Sequence, residues 1–115
     1  MTQTVSRKIK TYVVSYYGGG KKVTKPYSYR AIIALWDDKG LIGALYFHND
    51  PDTMPDADHL PDTGQPMSHY PIEDFSRILD ILRNEEPVYY HQLSNWPTMA
   101  WLRTSSEPVG EGEPV

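Results

Sequence analysis

The chain has no cysteine among its 115 residues. Disulfides, thiolate metal sites, iron–sulfur clusters and thiol nucleophiles are therefore excluded together. No apolar run approaches the roughly 20 residues that a membrane-spanning helix needs, so no membrane span is expected. The basic start MTQTVSRKIK is not followed by an apolar stretch, so no secretory signal peptide is expected. These absences make a cytoplasmic, bacterial-type protein the default reading. Acid is missing altogether from residues 1–36, which hold Arg7, Lys8, Lys10, Lys21, Lys22, Lys25 and Arg30. All 15 acids lie beyond them, with only Lys39, Arg77, Arg83 and Arg103 for company, and the net charge is −4.

What is present fits an ordinary globule. Apolar residues make up 39% and charged residues 23%, which argues against a largely disordered chain. The length suits one domain, which buries roughly 65% of the surface its unfolded chain exposes. We expect a single domain over residues 1–106. The tail 107–115, EPVGEGEPV, is Pro, Gly and Glu and is expected to be flexible.

Periodicity predicts the elements. VSRKIKTYVVSYY over 5–17 is rich in β-branched and aromatic residues and reads as one strand, ended by Gly18-Gly19-Gly20. YSYRAIIALW over 27–36 and LIGALYF over 41–47 read as a hairpin around the turn Asp37-Asp38-Lys39-Gly40. Their nearly continuous apolar character predicts a central pair covered on both faces. Residues 48–70 hold Pro51, Pro55, Pro61 and Pro66 and no Lys or Arg; they read as a long acidic loop without helix or central strand. PIEDFSRILDILRN over 71–84 predicts the one helix, with Pro71 at its first position and an apolar stripe of Ile72, Phe75, Ile78, Leu79 and Leu82. Residues 88–92 and 98–104 read as a second hairpin. The expected fold is α+β: a mostly antiparallel five-stranded sheet, in the order β-β-β-loop-α-β-β, packed against one amphipathic helix.

Three groups of residues carry candidate chemistry. Asp56, Asp58 and His59 in the acidic loop offer carboxylate and imidazole to a divalent metal, though no known ligand spacing is met. The plainer reading is a solvated Pro/Asp coil. Arg7, Lys8, Lys10, Lys21, Lys22 and Lys25 offer a basic surface to nucleic acid or another anionic ligand. The plainer reading is that the acidic half of the chain cancels them. The run Gly18–Thr24 lacks the first glycine of a phosphate loop, and a strand follows it. Tyr16, Tyr29, Trp96 and Trp101 are candidates for a protein interface, since tyrosine and tryptophan are rigid anchors. Cross-strand pairing within one sheet accounts for them equally simply.

Catalytic patterns are thin. There is no G-x-S-x-G elbow, and no spacing couples His69 or His91 to a particular loop aspartate. No family's motif is carried by these residues. One helix about 10 Å wide cannot cover a five-stranded sheet about 24 Å across. The surplus apolar surface then needs a companion. The expected function is a small non-enzymatic protein-interaction module, homodimeric or docked on another protein. Anion or nucleic-acid binding is the alternative, and metal-dependent activity in loop 48–69 is a third. No cofactor is expected apart from that divalent metal.

Overall fold

In the computed structural model of the chain the described residues are 4–18, 29–50, 52, 58–59, 65–93 and 96–106. The hairpin turn organises the first of them. The Asp37 carboxylate accepts hydrogen bonds from Lys39 N at 2.8 Å and Gly40 N at 3.0 Å. Gly40 takes a φ of +143°, open to glycine alone at low cost. The turn joins β3 (Tyr29–Trp36) to β4 (Leu41–His48) as the expected antiparallel pair. Alternation along β3 buries Ala31, Ile33 and Leu35. Strand β4 is buried on both faces, with Ile42, Ala44, Leu45, Phe47 and His48 all inaccessible.

Among the described residues the fold is α+β with one α-helix, but the strands form two sheets and not a single five-stranded one. The predicted strand 5–17 divides at Ile9 and Lys10 into β1 (Thr4–Lys8) and β2 (Thr11–Tyr16). Ile9 N bonds to Val88 O at 2.9 Å, while Lys10 N bonds to Trp36 O at 2.8 Å. Two successive residues thus belong to different sheets. Side-chain alternation is the same on both sides of the break, so no pattern in the sequence marks it.

The second correction concerns residues 48–70. They contain β6 (Pro66–Pro71), parallel to β4 and flanked on its other side by β5 (Asp58–His59). Proline was expected to keep strands out of a sheet interior. Here Pro66 and Pro71 occupy the two ends, so the donors of Met67 to Tyr70 remain. The larger sheet runs β2-β3-β4-β6-β5, and β4–β6 is its parallel pair. The smaller sheet joins β1 to a second hairpin, β7 (Val88–Leu93) and β8 (Trp96–Thr104), in the order β1-β7-β8.

A 3-10 turn at Ile72–Asp74 precedes the helix α1 (Phe75–Asn84). Pro71 closes β6 and caps this turn, so the predicted helix starts late, after a tightened first turn. The expected stripe holds: Ile72, Phe75, Ile78, Leu79 and Leu82 all pack on the core. The helix does not cover the sheet alone. Tyr90, Ala100 and Leu102 of the small sheet lie against the same core. Ser68 Oγ and Tyr90 Oη are 2.7 Å apart, which ties β6 to β7. The premise that one helix is the whole cover is therefore overturned, because a second sheet shares the task. Among the described residues no helix is long and apolar enough to cross a membrane.

Candidate functional site

Among the described residues, most of the exposed large apolar side chains lie on the outer edge of the large sheet; Val5 on β1 and Trp36 on β3 are exposed as well. Strand β2, TYVVSY, has β3 as its one partner among the described residues. Val13 is 54% exposed, Val14 39% and Tyr16 56%. Tyr17 N bonds to Arg30 O at 2.9 Å, and the β2–β3 register is unbroken from there to Thr11. Hydrogen-bonding direction alternates along an antiparallel strand. The odd-numbered amides therefore serve β3, and those of Tyr12, Val14 and Tyr16 point outward. Edge strands are usually blunted by charge, proline or a bulge. Strand β2 has none of these; Lys10 lies just before its first residue.

The four interface candidates separate. The Tyr16 ring meets Phe75 edge-on at 5.3 Å, and the Arg30 guanidinium lies 6.0 Å above it. Tyr29 is half-buried among Tyr17, Tyr46 and His48. Trp101 is half-buried and lies 5.6 Å from the His91 ring. Trp96 begins β8, and its side chain lies outside the described residues.

Of the basic candidates, Arg7, Lys8 and Lys10 line one depression of about 510 Å³, together with Asp37, Asp38 and Lys39. The two acids, Asp37 and Asp38, come from beyond residue 36 and leave the lining with a net positive charge. Lys39 was legible in the sequence only as a turn residue; nothing but the fold brings it here. Lys21, Lys22 and Lys25 lie outside the described residues, as does Asp56. Asp58 and His59 form β5, and their side chains also lie outside them. Among the described residues no three His, Asp or Glu side chains converge as a metal set.

Two other histidines do meet. His48 Nε2 and His69 Nδ1 are 2.8 Å apart, brought together by the parallel pairing of β4 with β6. One nitrogen donates and the other accepts. Nitrogens of two ligands on one tetrahedral zinc would stand about 3.3 Å apart, so at 2.8 Å the pair has the spacing of a hydrogen bond. Tyr46 and Tyr29 flank it, with the Tyr46 ring 5.6 Å from His69. The sequence placed His48 and His69 at the two ends of a loop, and gave no sign of parallel pairing that would join them.

His91 is buried on the small sheet, with Nε2 3.2 Å from Ser6 Oγ. Its Nδ1 is buried without a hydrogen-bond partner among the described residues. Burial, and then the Arg103 guanidinium, push its pKa below the ordinary 6.5. The native state therefore resists protonation that the unfolded chain accepts. Its stabilising contribution is complete above pH 6.5 and declines as pH falls from there towards the lowered native value. His91→Gln is expected to lose that part of the decline. Thermal midpoints of both proteins between about pH 7 and pH 5 check this; parallel profiles would contradict it. No family model matches this chain, and no curated protein or solved structure matches it.

Proposed function

We propose that the protein is a non-enzymatic interaction module that pairs with a second copy of itself through β2. The observation that carries the reading is the uncharged outer edge of that strand, which pairs with β3 alone among the described residues and exposes Val13, Val14 and Tyr16. Free edges capture other strands through main-chain hydrogen bonds. A two-fold axis perpendicular to the sheet is the simplest way for one surface to pair with itself. Strand β2 suits that symmetry, because no charged residue lies within Thr11–Tyr16 to oppose its own copy. An axis at Val14 sets Val14 against Val14 and Tyr12 against Tyr16, an aromatic cross-strand pair of a favourable kind. It also uses the three outward amides of Tyr12, Val14 and Tyr16.

Size-exclusion chromatography with light scattering tests this at tens of micromolar. The expected mass is twice the 13.2 kDa of one chain. Val13→Lys puts a cation on the exposed part of the strand. Its far-ultraviolet circular dichroism should be unchanged, while the dimer dissociation constant should rise about a hundredfold, because lysine on an edge strand opposes pairing and the two lysines lie diagonally close across the seam. A single-chain mass for the unmodified protein at these concentrations would reject self-pairing and leave a different protein as the occupant of the edge.

A further inference from the structure

We infer that the depression between the two sheets is a binding site for the phosphate ester of a small hydroxylated molecule. Four cations line it, Arg7, Lys8, Lys10 and Lys39, with two carboxylates, Asp37 and Asp38. The first three sit where the chain leaves one sheet for the other, and Lys39 comes from the β3–β4 turn. The backbone at both places is pinned. Ile9 N holds Val88 O and Lys10 N holds Trp36 O; Lys39 N and Gly40 N hold the Asp37 carboxylate. The lysine stems therefore start from fixed points on either side of the hollow. The depression has a volume of about 510 Å³ and lies open to solvent, with Arg7, Lys8, Lys10, Asp38 and Lys39 all exposed.

The charge selects the ligand. The six side chains sum to +2, which one phosphate monoester, carrying −1.5 to −2 near pH 7, neutralises. A longer polyanion would have to lay further phosphates beside Asp37 and Asp38. One oxygen of Asp37 is committed to its turn. Asp38 is exposed and makes an acceptor for ligand hydroxyls. Cations for a phosphate beside carboxylates for hydroxyls describe a sugar phosphate better than a nucleic acid strand. The site is independent of self-pairing at β2.

Glucose 6-phosphate, inorganic phosphate, glucose and a single-stranded oligonucleotide serve as probes, with backbone amide shifts read by nuclear magnetic resonance at low salt. Glucose 6-phosphate is expected to give saturable shifts confined to Arg7–Lys10 and Asp37–Gly40, with inorganic phosphate weaker and glucose silent. The double variant Lys10→Gln, Lys39→Gln should weaken glucose 6-phosphate at least tenfold. Asp38→Asn should tighten inorganic phosphate and narrow the preference for the sugar ester. No localised shift up to about 20 mM, a concentration that detects even millimolar binding, overturns the site. So does a response that the double variant leaves intact. Oligonucleotide binding tighter than the sugar ester, with affinity falling linearly in the logarithm of salt, overturns the ligand class in favour of nucleic acid.

Discussion

Phe47→Ala is expected to lower the free energy of unfolding by about 4 kcal/mol, the middle of the range for emptying a buried phenylalanine site. Phe47 is wholly inaccessible and stands where sheet, β6 and helix meet. Its ring stacks on Tyr70 at 5.6 Å and meets Phe75 edge-on at 5.1 Å. Its neighbours cannot easily collapse into the gap. Tyr70 belongs to β6, which is hydrogen-bonded in the sheet, and Phe75 is fixed at the start of α1. The helix is attached to the protein chiefly by this junction and its apolar stripe. Urea unfolding of wild type and variant measures the difference. A loss below about 1.5 kcal/mol would mean that the site relaxes and the junction is not close-packed. Phe75→Ala is expected to cost less, since Phe75 is only half-buried.

Gly43→Ala is expected to cost about 2–3 kcal/mol, although it adds a single methyl group. A Cβ at Gly43 would lie 2.2 Å and 2.9 Å from two carbons of the Tyr90 ring, and 3.1 Å from Pro66 O. The backbone conformation is no obstacle; the obstacle is the ring of the opposing sheet. Tyr90 cannot swing aside freely, because Oη is held 2.7 Å from Ser68 Oγ in a buried contact. The methyl group thus pushes the two sheets apart where the Tyr90 ring meets β4. Shrinking the opposing side chain should relieve part of the penalty. A double-mutant cycle with Tyr90→Leu is expected to give a coupling of about 1–2 kcal/mol in the relieving direction. Strict additivity would show that the Gly43 and Tyr90 sites do not touch.

The local elements were readable because their causes are local. Asp37 and Gly40 make the turn whatever surrounds them, and that turn sets β3 beside β4. The stripe from Ile72 to Leu82 needs an apolar surface to lie on, and it found one. The acidic segment was misread for a positional reason. Proline removes one donor at its own residue, so it ends strand β6 without forbidding it, and counting prolines over a window hides that. The candidate sites were legible only in part. Tyr16 was singled out as an interface residue, but the unbroken β2 edge beside it was not. Arg7, Lys8 and Lys10 were singled out as cations, but Lys39 and the hollow they share were not.

Residue order was enough to specify a cysteine-free α+β chain, its two hairpins, the face of its helix and its lopsided charge. All of these follow from side-chain period, turn chemistry and composition within about a dozen neighbouring residues. The split at Ile9 and Lys10, the parallel β4–β6 pair and the meeting of His48 with His69 came from the folded chain alone. So did the Gly43–Tyr90 contact and the place of β2 at a sheet edge among the described residues. Each depends on which distant backbone offers its donors and acceptors, and an extended strand presents the same alternation to any partner. Which strand lies beside which is settled by the packing of the whole core, and it is that choice which puts β2 at an edge of the large sheet among the described residues.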